Sequence, residues 1–140
     1  MRLARPALAA LFAMLLSSAP VSPAQAEGRP SGGGFGLALL SPGQHADVMK
    51  RVESYAQLET FLKACGRPPA LESRFRRLVR GCIEPATVNT LAQHFRRALA
   101  VRAHYRWDCV SASGRQMIAR SEEAIRTTVA DVTRLCQIAR

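Results

Sequence analysis

From about Ala46 onward, apolar positions recur at three- to four-residue intervals and never alternate over a strand's length. The chain therefore reads as helical, with no strand required. The first clear stripe is Tyr55, Leu58, Phe61, Leu62 and Cys65. Ser54-Tyr55-Ala56-Gln57 fits a capping box at its start, and Gly66 with Pro68-Pro69 stops it. Residues Ala46 to Val52 either extend this helix backward or form a separate turn. A shorter second helix is expected from about Pro69 to Arg80, with Leu71, Phe75, Leu78 and Val79 on one face and Gly81 as terminator. Pro85 suits the first position of a third helix, striped by Val88, Leu91, Ala92, Phe95, Leu99 and Ala103. Ser111 to Gly114 break the chain, and a fourth helix runs from about Arg115 to Ile138 through Ile118, Ile125, Val129, Val132 and Cys136. Short connections favour antiparallel neighbours. The expected fold is all-α: a small antiparallel bundle of about four helices over residues 46–140.

The residues before it follow another logic. Arg2 and Arg5 precede an apolar run from Pro6 to Leu16, and small residues lead to Ala24-Gln25-Ala26. A positive start, an apolar centre and an A-x-A site make a secretory signal peptide over residues 1–26, cleaved after Ala26. The run falls short of the ~20 residues that span a bilayer. Residues 27–45, with Ser31-Gly32-Gly33-Gly34 and Ser41-Pro42-Gly43, read as a flexible leader. Its apolar patch Phe35 to Leu40 is expected to dock on the domain. The destination is periplasmic, with no transmembrane segment in the mature chain.

Composition adds charge and cysteines. The chain has 140 residues, 20 Lys and Arg against 10 Asp and Glu, and a formal charge of +10. Without Arg2 and Arg5 the mature charge is +8, so basicity belongs to the domain. The length excludes a two-domain enzyme or a doubly wound nucleotide fold. All 4 cysteines fall in the mature part, and an even count in a small exported protein reads as two disulfides. Helix length selects the pairing. Cys82 and Cys109 flank the third helix and Cys109 and Cys136 span the fourth. Either pair would be ~40 Å apart at 1.5 Å per residue, whereas a disulfide needs its Cα atoms within ~7 Å. Removing both pairs leaves Cys65–Cys109 and Cys82–Cys136. Each would add ~3–4 kcal/mol on chain-entropy grounds.

No reactive constellation emerges. There is no C-x-x-C and no Cys beside a His, which speaks against thiol-redox or metal chemistry. His45, His94 and His104 do not converge and read as surface residues. Ser111-Ala112-Ser113-Gly114 reads as a helix cap, and Asp108 as an acceptor for local backbone. Glu122 and Glu123 are adjacent and diverge on a helix, and Gly32-Gly33-Gly34 lacks the Lys-Ser/Thr of a phosphate loop. No catalytic residue, metal or cofactor is assigned, and the chain is not expected to be an enzyme.

Arginine crowds the helices, mostly as a solvated exterior. Arg102 and Arg106 differ, because on an ideal helix they project onto the stripe of Val88, Phe95 and Leu99, beside Tyr105 and Trp107. Either the third helix ends or bends near Ala103, or two guanidiniums line a partly buried cleft. In the second case a carboxylate or phosphate is the natural partner of a planar bidentate fork. Arg102, Arg106, Tyr105 and Trp107 are the candidate binding residues. Nucleic acid is not an expected partner, since an exported protein meets little of it.

The helix ending Leu62-Lys63-Ala64-Cys65-Gly66, the span from Phe95 through Tyr105 to Cys109, and the final amphipathic helix resemble a family of small exported alphaproteobacterial proteins, a domain of unknown function. The likeness covers roughly residues 54 to 135 and implies compartment and fold class, with no activity. Arg102 and Arg106 stand where that family's pattern has aromatic residues, and Cys82 and Cys136 are additional. The functional expectation is a non-enzymatic binding or interaction protein of the bacterial envelope, engaging an anionic component or an envelope protein through an Arg-rich face. A periplasmic stress chaperone is the alternative, and an enzyme or thiol-redox protein the third.

Overall fold

The computed structural model describes residues 34–138. The expected signal peptide over residues 1–26, its cleavage after Ala26 and the start of the expected leader lie outside the described residues. Four helices follow a 3-10 turn at Leu37–Leu39: α1 (Pro42–Ala64), α2 (Leu71–Leu78), α3 (Pro85–Arg102) and α4 (Ala112–Ile138). No strand occurs among the described residues, only isolated bridges between Phe35 and Ile83 and between Arg80 and Ile83. No helix described is long and apolar enough to cross a membrane.

α1 begins thirteen residues earlier than its apolar stripe implies. Ser41 accepts a hydrogen bond from the Gln44 N–H, Gln44 accepts one from the Ser41 N–H, and Pro42 sits in the first turn. This reciprocal box satisfies donors that a helix start leaves open. Ser54, expected as the cap, lies inside α1 and its hydroxyl donates to the Lys50 carbonyl. The leader is shorter than expected on the same account. Its apolar patch docks on the turn between α2 and α3. The Phe35 N–H donates to the Cys82 carbonyl, the Phe35 carbonyl accepts from Glu84, and the Leu37 N–H donates to the Thr87 hydroxyl.

α1 ends at Gly66, where φ is +75°. There the Arg67 and Gly66 N–H groups return to the Leu62 and Lys63 carbonyls, a closure that favours glycine. The start of α2 has no cap of its own. The Glu59 carboxylate of α1 accepts the Leu71 N–H at 2.7 Å and fills that role. α4 is capped by Ser111, whose hydroxyl accepts from Gly114. A Cβ at Gly114 would stand 2.3 Å from the Asp108 carbonyl oxygen, so glycine lets the preceding loop press onto the first turn.

Consecutive helices run antiparallel. α1 and α3 therefore run parallel, and they share the central seam. His94 meets Glu53 at 3.0 Å, while Phe95 and Ala98 cluster with Ala56, Val52 and Tyr55. One flanking cluster joins Val79, Cys82, Val88 and Cys136, packed by Phe75, Leu78, Ile83 and Val132. The other joins Phe61, Leu62 and Ile125, packed by Leu58, Trp107, Ile118 and Val129.

Both disulfides form with the pairing that helix length selects. Cys65–Cys109 has a Cα separation of 5.5 Å and Cys82–Cys136 one of 5.4 Å. The two bonds interlace along the chain, and between them they fix both ends of α4 to the other helices. Cys82 and Cys136 are buried, whereas Cys65 and Cys109 are half-exposed.

Tyr55 joins α1 to α4. Thr128 donates its own proton to the Ala124 carbonyl, so the Tyr55 hydroxyl donates to Thr128 across 2.8 Å. Burial raises the phenol above its ordinary value of 10.0, opposed by the Arg51 charge. A raised folded-state value gives stability that is complete below the unfolded phenol's pKa and is lost as pH rises through the folded one. The wild-type chain should therefore lose stability above about pH 10. Tyr55→Phe should lower stability at pH 7 by about 0.5–1.5 kcal/mol and flatten this alkaline decline. Denaturant midpoints between pH 7 and 11 check both, and an unchanged decline in the variant would assign it to other groups.

Candidate functional site

α1 and α3 end together at the pole of the Cys65–Cys109 bond, and an open groove of about 510 Å³ lies between them. Glu59, Thr60, Lys63 and Ala64 form one wall, and Leu99, Ala100 and Ala103 the other. Tyr105 and Trp107, from the connection to α4, close one side. Parallel running brings the two last turns side by side, and alanines at 64, 100 and 103 leave space between them.

The aromatic end is firmly built. Trp107 meets Phe61 edge to face, with centroids 5.4 Å apart, and Tyr105 leans on Trp107 at 5.8 Å. Cys109 anchors the segment two residues later. Asp108 accepts from the Val110 and Ser111 N–H groups and from the Ser111 hydroxyl. These bonds, the Ser111 hydroxyl first, hold its carboxyl below the usual carboxylate range. The Trp107 Nε1–H is buried and has no acceptor among the described residues. A buried unpaired donor costs about 1–3 kcal/mol, which makes it the least satisfied group of the pole.

The candidate residues part company here. Tyr105 and Trp107 line the groove together, whereas Arg102 and Arg106 do not line it. α3 ends at Arg102, so the extrapolated stripe stops one turn before Arg106. Arg102 is half-buried and donates to the Ala98 carbonyl of its own helix at 3.0 Å. Arg106 is exposed. The pair of guanidiniums lining a cleft is therefore replaced by one ammonium, Lys63, at the groove wall. Sequence reasoning missed Glu59, Lys63 and the alanines. The spacing of Glu59 and Lys63, one turn apart, was the only available signal.

Several other acids are occupied within the fold. Glu72 receives both Arg76 and Arg96, Glu122 receives Arg67, Glu123 receives Arg126 and Asp131 receives Arg134. His94, expected as a surface residue, is half-buried and bridges α3 to Glu53 of α1. Among the described residues no three His, Cys, Asp or Glu side chains converge to hold a metal ion.

Compared with known protein families, curated proteins and solved structures, the chain gives no match.

Proposed function

We propose that this chain is a small exported, non-enzymatic binding protein of the bacterial cell envelope that engages an anionic component of that envelope. One observation carries the reading: most described acids are engaged within the fold, while a set of exposed arginines is not ion-paired. Glu53, Glu59, Glu72, Asp108, Glu122, Glu123 and Asp131 each accept from a partner inside the fold. Arg74, Arg77, Arg97, Arg106 and Arg120 are exposed and have no ion-pair partner among the described residues. These guanidiniums sit on three helices and the polar loop, an arrangement suited to an extended anionic surface. Two disulfides fit an oxidising compartment, and the signal-like start supports export.

Sedimentation with vesicles tests this. The protein should be retained by vesicles rich in phosphatidylglycerol and pass through phosphatidylcholine, with retention falling as salt exceeds about 0.15 M. Arg106→Ala should weaken retention about fivefold, since a basic residue near such a surface contributes about 1 kcal/mol. Arg102→Ala, whose guanidinium is engaged by Ala98, should change little. Equal behaviour on both vesicle types would remove the reading, and full retention of the double variant would remove the polar loop from the site.

A further inference from the structure

We propose that the groove between α1 and α3 binds a single-chain amphiphilic anion, a long-chain carboxylate, with its head on Lys63 and its chain against Leu99 and Trp107. This rests on the reading that the protein engages anionic envelope components, and it assigns one of them a place.

Three properties of the groove converge. The first is shape. Its volume of about 510 Å³ lies within the range of ligand pockets. It is an open trough between the last turns of α1 and α3.

The second is polar inventory. Thr60 already donates to the Ala56 carbonyl at 2.8 Å, and one Glu59 oxygen is taken by the Leu71 N–H. Of the groove's side chains this leaves the exposed Lys63 ammonium, which selects a charged head rich in acceptors, and the Tyr105 hydroxyl, which can donate to the same head.

The third is the apolar remainder. A bare phosphate or acetate would meet Lys63 and leave Leu99, the alanines and the Trp107 ring without a partner. A neutral lipid would cover the apolar wall and leave the ammonium without one. A carboxylate on a hydrocarbon chain satisfies both.

Trp107 is the chain's single tryptophan, so intrinsic fluorescence reports on this groove alone. The disulfide-bonded protein is titrated with dodecanoate below its micelle concentration, and with decanoate, octanoate, butanoate and dodecanol. Dodecanoate should give a saturable change, and each methylene from octanoate to dodecanoate should tighten binding about twofold, half the effect of full burial because the groove is open on one side. Butanoate should give no saturable change, and dodecanol should bind at least about tenfold more weakly than dodecanoate. Lys63→Gln should weaken dodecanoate about fivefold to tenfold and leave dodecanol unchanged. Ala100→Leu, at an exposed helix position, should fill the trough and weaken both, with far-ultraviolet circular dichroism unchanged. Absence of a saturable response to dodecanoate overturns the inference, as does equal affinity for dodecanol or an unaffected Lys63→Gln. If dodecanoate fails while phosphatidylglycerol vesicles still retain the protein, the groove assignment falls and the proposed function stands. If both fail, both fall.

Discussion

A chain carrying Cys82→Ala and Cys136→Ala should unfold with about 4 kcal/mol less free energy than the wild type. The bond closes a loop with a sequence separation of 54 residues, and freeing a loop of that length returns about that much entropy to the unfolded chain. Its sulfurs also fill space in the cluster of Val79 and Val88, where Cys82 is 8% and Cys136 3% exposed. For a domain near 100 residues the loss corresponds to a fall in Tm of roughly 15–30 °C. Denaturant midpoints at equal slope measure it, and a loss under about 1 kcal/mol would show that the unfolded chain is already confined without the bond. Cys65–Cys109 closes a loop of comparable separation, 44, but its cysteines are half-exposed. Under increasing dithiothreitol it should open first, seen as a red shift of Trp107 emission before the helices melt.

Phe95→Ala should cost about 3–5 kcal/mol, a comparable effect from a different source. Phe95 is 6% exposed and stands at the centre of the α1–α3 seam, against Ala56, Ala98, Tyr55 and Leu71. Its closest buried neighbours are alanines, which have no rotamers with which to close the hole, so the cavity term is felt nearly in full. Phe95→Leu keeps most of the volume and should cost under about 1.5 kcal/mol. The same contrast should appear in ligand binding, because Leu99 of the groove lies one turn further along α3. Phe95→Ala should weaken dodecanoate binding even where circular dichroism shows the chain folded. Equal stability of the two variants in urea would mean that the seam relaxes around the gap.

The disulfide pairing was legible because it follows from distance alone: a helix keeps its two ends apart whatever its side chains do. α3 and α4 were legible because their stripes hold one period over many residues. The start of α1 was not, since Gln44 to Met49 carry no stripe and Ser41-Pro42-Gly43 carries the residues of a turn. Proline in the first turn of a helix is equally at home there, and the Gln44 side chain decides the matter. The aromatic half of the groove was legible in Tyr105 and Trp107. The rest was hidden because it consists of short side chains on two helices far apart in sequence, and alanine has no chemistry to advertise. Periodicity left two readings of Arg102 and Arg106 open, and the end of α3 at Arg102 selects the one in which the helix stops near Ala103.

Interlaced crosslinks also govern what a protease can do to this protein. The bonds run from 65 to 109 and from 82 to 136, so each has one end inside the other's loop and one end outside it. Any single cut of the backbone between Cys65 and Cys136 therefore leaves both pieces covalently joined. A cut within α3 leaves them joined twice, because both bonds cross that helix. Between Cys65 and Cys136, releasing a fragment takes a second cut or reduction of a disulfide, whereas one cut in α1 ahead of Cys65 frees its N-terminal part at once.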